Sequence, residues 1–138
     1  MFKTSGGKYI APQVIEGKLK EDPLIEQAMV VGADQKFASA LLVPSFVDLK
    51  NWCSRNGVAE ATPAELVKNP QVIKLYEDLV KKYNKNFAQW EQVKRIALLP
   101  DLWTVESGEM TPTMKVKRKV IAEKNQQVID GLYHQTAQ

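Results

Sequence analysis

Cysteine and histidine are almost absent from this chain, which contains one of each among 138 residues. A disulfide needs two cysteines, so the lone Cys53 excludes an internal one. No histidine or second cysteine lies near Cys53 in the sequence, and we therefore expect it to pack in the core and not to react or bind a metal. We assign no role to His134, which lies close to the end of the chain.

Long apolar runs are also missing. No stretch approaches the roughly 18 consecutive apolar residues that a membrane-spanning helix needs. The first residues contain Lys3 and two glycines but no apolar segment of the kind that forms the centre of a signal peptide. Together with the single cysteine, these absences predict a reducing, cytoplasmic location.

The chain has no large excess of charge of either sign. Nineteen Lys and Arg against sixteen Asp and Glu leave a net charge of +3. The whole-chain charge therefore gives no indication of a nucleic-acid or membrane protein, and any basic signal must be local. What the chain does contain is enough apolar residues, 44%, for one domain with its own core.

The apolar pattern predicts a mixture of helices and strands. Two β-prone runs, 28–31 and 37–43, flank a short loop and predict a hairpin, and residues 93–99 predict a further strand. Helical spacing occurs at 13–21, at 46–56, shortly after Thr62, in a longer stretch from Pro70, and at 117–133. Residues 103–114 show no sustained period and predict a loop or edge segment. We therefore predict the α+β class: a single domain whose small, mostly antiparallel sheet is covered by helices.

A glycine turn near the start of the chain is one of two segments that packing alone does not explain. Its residues are Ser5, Gly6, Gly7 and Lys8. Paired glycines permit positive φ and let a ligand approach backbone N–H groups closely. Ordinary tight turns use the same residues, so a structural turn and a ligand-binding turn both remain open. The spacing does not match a phosphate-binding P-loop.

The second such segment is basic and lies near the other end. Four of the five residues from 115 to 119 are cations: Lys115, Lys117, Arg118 and Lys119. Pro112 stiffens the preceding loop, so the side chain of Lys115 can point away from the domain before the helical pattern begins. Cations at a helix start are mildly unfavourable, which suggests that they serve another purpose. A solvated helix face is the alternative.

Considered together, these segments resemble the carboxy-terminal domain of AMP-forming acyl-CoA synthetases, in the long-chain fatty acid branch. The similar segments are residues 3–12 followed by Ile15 and Glu16, the hairpin within 30–44, and residues 103–106 with 108–118. Two separate motifs at opposite ends of the chain carry the resemblance, which extends over most of its length.

The resemblance implies a two-step ligase. Fatty acid and ATP give an acyl-adenylate and pyrophosphate, and the CoA thiol then displaces AMP. Residues 1–138 would be the mobile lid domain, which swings over a large amino-terminal domain that these residues do not include. Lys115 matches the lysine that enters the site for adenylation.

Other residues of the two motifs match segments that the family uses for the second step, thioester formation, and for the hinge. Ser5, Gly6, Gly7 and Lys8 match the segment that lines the pantetheine tunnel for CoA, and Lys3 lies at the family's hinge border, so that the chain is expected to begin just past the hinge. Lys117 and Arg118 are candidate phosphate contacts.

The resemblance also implies the partners and cofactors. ATP and CoA would be co-substrates of the full-length enzyme, with Mg²⁺ bound through the larger domain and no cofactor in these residues. The partners would be the amino-terminal domain, fatty acid, ATP and CoA, with no nucleic acid and with a peripheral association of the parent enzyme with membranes left open. We expect this fragment alone to be inactive, because catalysis depends on holding ATP, acid and lysine in one geometry.

Two other functions are also compatible with these residues. A stand-alone anion-binding or nucleic-acid-binding module would use the basic segment with Trp103 and Tyr9 as stacking surfaces. A non-catalytic interaction domain would present the long helix that begins at Pro70 to a partner.

Overall fold

The computed structural model describes residues 1–134. Its strands are β1 (Phe2–Lys3), β2 (Tyr9–Ile10), β3 (Ile25–Val31), β4 (Ala38–Pro44) and β5 (Val93–Leu98). Its α-helices are α1 (Pro12–Leu19), α2 (Phe46–Arg55), α3 (Pro63–Leu66), α4 (Pro70–Asn84), α5 (Arg118–Lys124) and α6 (Gln126–Tyr133), and a 3₁₀ turn covers Gln89–Glu91.

The main sheet has three strands in the order β3-β4-β5, and β1 and β2 form a separate short ribbon. β1 pairs with β2 and β3 pairs with β4 antiparallel, whereas β5 lies parallel to β4. The parallel pairing is possible because the long connection through α2, α3 and α4 returns the chain to the end of the sheet where β4 begins. The predicted α+β class with a small sheet is confirmed: two of the three strand pairings, including that of the ribbon, are antiparallel, and the three-stranded sheet itself is mixed.

Helices cover both faces of the sheet. Successive residues of a strand point to opposite faces, and all seven residues of β4 are buried. Leu42 packs with Ile15 of α1, Leu49 of α2 and Tyr76 of α4, whereas the neighbouring Leu41 packs with Trp103, Ile121 of α5 and Leu132 of α6. A strand covered on both faces shows no polar alternation, which explains the continuous apolar run from 40 to 43.

The structure differs from the sequence prediction in the last helical segment. The single helix predicted over 117–133 is two helices that meet at Asn125. The side-chain amide of Asn125 donates a hydrogen bond to the carbonyl of Ile121 at 2.9 Å, and its backbone leaves the helical region with φ −116°. Short polar side chains of this kind compete with the helical backbone for hydrogen bonds, and this competition ends α5.

The burial of Cys53, the length of the helices and the exposure of His134 bear on smaller expectations from the sequence. Cys53 packs in the core with 4% of its surface exposed, as predicted, and burial raises the pKa of its thiol. Within residues 1–134, no helix is both long enough and apolar enough to cross a membrane. His134 is exposed at the end of the described range.

Candidate functional site

Lys115 follows the tip of a tight hairpin. Met110 and Val116 form an antiparallel bridge, and the N–H of Thr111 donates to the carbonyl of Lys115 at 2.8 Å. The N–H of Met114 donates to the carbonyl of Thr111, also at 2.8 Å. These bonds close a three-residue loop over 112–114, the common hairpin in which a type I turn is followed by a left-handed residue. The hairpin therefore fixes the point from which the Lys115 side chain leaves the domain.

Met114 occupies the left-handed position of this loop, with φ 65°. Glycine is usual at that position, and a residue with a Cβ atom there costs about 1–2 kcal/mol. The hydroxyl of Thr111 offsets part of this cost, since it accepts the N–H of Lys115 at 3.1 Å and lies 3.0 Å from the hydroxyl of Thr113. The loop is therefore held by its own side chains in a conformation that a free chain would seldom adopt.

The side chain of Lys115 is exposed. Within residues 1–134, its ammonium group makes no ion pair and no hydrogen bond to another side chain. Lysine carries a compact charge on a long flexible stem, so the group can reach an anion that lies outside the domain.

Arg118, three residues further on, has a different environment. Its two terminal nitrogens donate to the two carboxylate oxygens of Glu16 at 2.7 and 2.6 Å. Glu16 is only 6% exposed and also accepts the N–H of Val30 at 2.7 Å. Val30 belongs to β3, an edge strand, so Glu16 satisfies an outward N–H of the sheet and binds the guanidinium at the same place. In this structure the charge of Arg118 is matched within the domain.

Sequence reasoning did not find the role of Glu16, although a signal was present. Pro12, Ile15, Glu16 and Leu19 have helical spacing and together form the buried side of α1. A carboxylate on a buried helix face needs a cationic partner, because the cost of removing its charge from water is high.

The phosphate contacts suggested for Lys117 and Arg118 stay predictions. Lys117 is exposed, and its N–H donates to the carbonyl of Glu109 at 2.8 Å.

The glycine turn connects β1 to β2 and is closed by its own backbone. The N–H of Thr4 donates to the carbonyl of Lys8 at 2.9 Å, and the N–H of Gly7 donates to the carbonyl of Thr4 at 3.0 Å. Gly7 has φ +83°, which only glycine adopts without strain. Gly6 has no positive φ, and the nearest heavy atom to a Cβ placed there is the hydroxyl oxygen of Thr4 at 3.9 Å. Nothing within the described chain therefore requires a glycine at position 6.

The loop between β3 and β4 supports this turn. The N–H of Ser5 donates to the carbonyl of Gln35, and the N–H of Asp34 donates to the carbonyl of Lys3, both at 2.9 Å. Asp34 reaches this position with φ 62°. A ribbon with two residues in each strand is marginal alone, so these two bonds to the main sheet give the glycine turn its fixed place.

The lysines of the turn region lie over exposed aromatic rings. The ammonium of Lys8 is 5.1 Å from the centre of the Trp90 ring, and that of Lys3 is 5.9 Å from the Tyr9 ring. Trp90 is 47% exposed and Tyr9 is 62% exposed. Cation–π contacts of this kind fix a lysine without a carboxylate partner.

Each of the two alternative functions would use a feature that the structure buries. Trp103 is 2% exposed, and its backbone N–H and carbonyl are hydrogen-bonded to the side-chain amide of Gln27 at 2.7 and 2.9 Å. Trp103 therefore does not offer the stacking surface that the nucleic-acid-binding alternative would use, because a buried ring offers no face to a base. Helix α4 buries its apolar side in the domain's own core through Val72, Tyr76 and Val80, which leaves no apolar stripe there for a partner.

Comparison with known proteins identifies the family. The model of the AMP-binding enzyme C-terminal domain matches residues 2–137. The chain is 39% identical over 132 residues to the long-chain-fatty-acid–CoA ligase FadD15 of Mycobacterium tuberculosis, covering 95% of this chain and 22% of the relative. It is 36% identical over 136 residues to human long-chain-fatty-acid–CoA ligase 1, covering 96% of this chain and 19% of the relative.

Solved structures show the same fold. The adenylation domain of a carboxylate reductase from Mycobacterium chelonae matches 96% of this chain and 19% of its own, with a TM-score of 0.77 at 20% identity. A fatty acyl CoA synthetase of Mycobacterium tuberculosis matches 89% of this chain and 19% of its own, with a TM-score of 0.54 at 17% identity.

The described fold and these matches define a carboxy-terminal domain of the AMP-binding enzyme class. The chain belongs to the AMP-binding enzyme C-terminal domain family, so the resemblance noted from the two motifs is confirmed. It spans about a fifth of the length of the curated relatives that it matches.

Proposed function

We propose that this chain is the mobile carboxy-terminal domain of a long-chain fatty acid–CoA ligase. In this role Lys115 serves the adenylation step and the glycine turn at residues 5–8 serves the thioester step. The named relatives are long-chain-fatty-acid–CoA ligases, and the chain corresponds to about a fifth of each. The remaining part of such a protein would supply the pockets for ATP and for the acyl chain.

The observation that carries this proposal is the environment of Lys115. Its ammonium group projects from a tightly bonded hairpin and has no partner within residues 1–134, whereas Arg118 of the same segment is held by Glu16. A cation that is fixed at its base but unmatched within its own domain is suited to an anion supplied by another domain.

The chemistry of the first step needs such a cation. A carboxylate oxygen of the fatty acid attacks the α-phosphorus of ATP, and the bond to pyrophosphate breaks. Two anions must approach each other, so a nearby ammonium group lowers their repulsion and stabilises the charge that develops in the transition state. A charge pair at about 4 Å in an effective dielectric of about 20 is worth about 4 kcal/mol, which corresponds to about a thousandfold in rate.

The second step uses the other segment. The CoA sulfur attacks the acyl carbonyl, the thiol proton passes to solvent, and AMP leaves with the electrons of its bond to the acyl group. Ser5, Gly6 and Gly7 would line the path of pantetheine, and Gly6 suits a close approach because the nearest heavy atom to a Cβ placed there is the hydroxyl oxygen of Thr4, at 3.9 Å. Lys3 precedes this turn, at the point where the domain would rotate between the two steps.

Mg²⁺, when bound, would balance the charge of the ATP phosphates and of the pyrophosphate that leaves. Within residues 1–134, no group of three or more Asp, Glu, His or Cys side chains could hold a metal ion. Residues 1–134 therefore offer no site made of protein ligands alone, and we propose that the rest of the protein binds the ion together with the ATP phosphates. We also propose that the domain alone has no ligase activity, because we expect the remaining part of the protein to bind ATP and the fatty acid.

The test replaces Lys115 in the full-length ligase and measures the two steps separately. We expect Lys115→Ala to slow adenylate formation, followed as pyrophosphate release without CoA, by about a thousandfold. Thioester formation from supplied acyl-adenylate should stay within a few-fold of the unchanged enzyme. Lys119→Ala is the matched control, since it removes an exposed lysine of the same segment. Equal loss of both steps would show that Lys115 only maintains the structure and would overturn its proposed role.

A further inference from the structure

Trp90 contacts Lys8 of the glycine turn, although the two residues lie far apart in the sequence. It lies in the 3₁₀ turn Gln89–Glu91, between α4 and β5, and its ring is 5.1 Å from the ammonium of Lys8. The ring is 47% exposed, so it is not needed to fill the core. Its place beside the turn needs another explanation.

The backbone that carries Trp90 is firmly held. The carboxylate of Glu91 accepts the N–H of Ala88 at 3.0 Å. The side-chain amide of Asn84 donates to the carbonyl of Val93 and accepts its N–H, both at 2.9 Å, which ties the end of α4 to the start of β5. Trp90 is therefore a fixed support, and Lys8, with its long stem, is the group whose freedom the contact reduces.

An aromatic ring and a carboxylate affect the charge of a neighbouring cation differently. An aromatic ring attracts an ammonium group through its quadrupole and carries no net charge, so it restrains a lysine without neutralising it. Arg118 is the contrast within this domain, because the carboxylate of Glu16 matches its charge. In the part of the chain that the structure describes, Lys8 makes no ion pair. Lys8 is thus both positioned and available to an external anion.

We infer that Trp90 is a positioning residue that holds Lys8 for a phosphate group of CoA during the thioester step. This inference rests on the proposed function. The pantetheine arm of CoA is uncharged, so its phosphates are the groups that an ammonium ion can select. Lysine binds phosphate as a point charge, and the exposed glycine turn beside it leaves room for the ligand.

The decisive comparison uses two thiol substrates with the full-length ligase. CoA carries phosphates, whereas pantetheine has the same reactive arm without them. We expect Trp90→Leu to raise the KM for CoA about two- to fivefold, the range of an exposed cation–π contact, and to leave the KM for pantetheine unchanged. Lys8→Met should raise the KM for CoA at least as much. Trp90→Phe, which keeps an aromatic face, should restore most of the affinity.

A double variant shows whether Trp90 acts through Lys8. If it does, adding Trp90→Leu to Lys8→Met should raise the KM for CoA no further, because the group that the ring positions is already gone. Independent, additive effects of the two changes would overturn the positioning role. Lys82→Met is the control, since it removes an equivalent contact in α4, where the ammonium lies 5.5 Å from the Tyr83 ring.

A second measurement examines the contact in this chain directly. The side-chain methylene protons of Lys8 should show an upfield ring-current shift in the NMR spectrum that Trp90→Leu removes. A missing shift in the unchanged chain would contradict the contact. If the unchanged full-length protein forms no acyl-CoA, the proposed function fails and this inference with it. If acyl-CoA forms normally, but the variants keep the KM for CoA or raise it equally for both thiols, this inference alone is wrong.

Discussion

Glu16 and Arg118 are 102 positions apart, and their side chains form two hydrogen bonds of 2.6 and 2.7 Å. Glu16 lies on α1, which follows the glycine turn, and Arg118 is the first residue of α5, which follows the Lys115 hairpin. The pair therefore connects the two segments to which the proposal assigns the two half-reactions. Any movement of the domain would carry both segments together.

The first prediction concerns the strength of this pair. In a double-mutant cycle of Glu16→Gln and Arg118→Met, measured by urea denaturation, we expect a coupling free energy of about 1–3 kcal/mol. The expected value lies below that of a fully buried pair because the Arg118 side chain is 33% exposed.

An exposed pair in the same chain provides the control for that cycle. Lys74 and Asp78 are 3.2 Å apart on α4, with 75% and 54% of their side chains exposed. A surface pair of this spacing contributes about 0.5 kcal/mol or less. Similar coupling in the two cycles would mean that the burial of Glu16 adds nothing to the stability of the domain.

The second prediction concerns stability at alkaline pH. Tyr76 is fully buried, and its hydroxyl donates to the carbonyl of Leu24 at 2.6 Å. Burial raises the pKa of this phenol, and the nearby charges of Asp22 and Asp48 raise it further. The folded state therefore favours the neutral phenol. Its stabilising contribution is complete below the unfolded pKa of about 10 and is lost as the pH rises above that value.

Tyr76→Phe separates this effect from general alkaline unfolding. We expect the variant to lose about 1 kcal/mol of unfolding free energy at neutral pH, because the hydrogen bond is gone. Its unfolding free energy should then fall less steeply above about pH 10 than that of the unchanged chain. Tyr9→Phe, which removes an exposed hydroxyl, should change the neutral value by less than about 0.5 kcal/mol. Equal alkaline slopes for the Tyr76 variant and the unchanged chain would contradict the prediction.

Features that depend on neighbouring residues could be predicted from the sequence. The two strands of the main hairpin follow from their β-prone runs, and the exposure of Lys115 follows from the proline-stiffened loop before it. The long helix after Pro70 follows from apolar residues at helical spacing, including Val72 and Tyr76, both of which are buried. In each case the pattern and the structure agree because local geometry decides the outcome.

Features that depend on distant residues could not be predicted in this way. The contacts of Glu16 with Arg118 and of Lys8 with Trp90 join residues that no local spacing relates. Trp103 lies in a segment without periodicity. Its ring packs in the apolar cluster that contains Leu41, and the side chain of Gln27 satisfies its backbone N–H and carbonyl. Such pairings exist only after the sheet has brought its edge strands and the covering helices together.

The last prediction uses the glycine turn, where two adjacent glycines have different reasons to be glycine. Gly7 has φ +83°, so Gly7→Ala should cost about 1–2 kcal/mol of unfolding free energy. Gly6 has no positive φ, and a Cβ there would meet only the hydroxyl oxygen of Thr4, at the ordinary contact distance of 3.9 Å, so Gly6→Ala should change the unfolding free energy by less than about 0.5 kcal/mol. If Gly6→Ala keeps its stability but changes the reaction rate, the change reflects contact of this residue with the ligand and not damage to the turn.

In the full-length ligase, we expect Gly6→Ala to slow thioester formation from acyl-adenylate by about tenfold or more, because a methyl group in a closely packed path costs about 1–3 kcal/mol. Adenylate formation should stay within about twofold, since Lys115 and not this turn would serve that step. Gly17→Ala on α1 is the matched control: a Cβ there meets nothing within 4 Å, and alanine favours the helix. A normal thioester rate in Gly6→Ala would show that pantetheine does not pass close to this backbone.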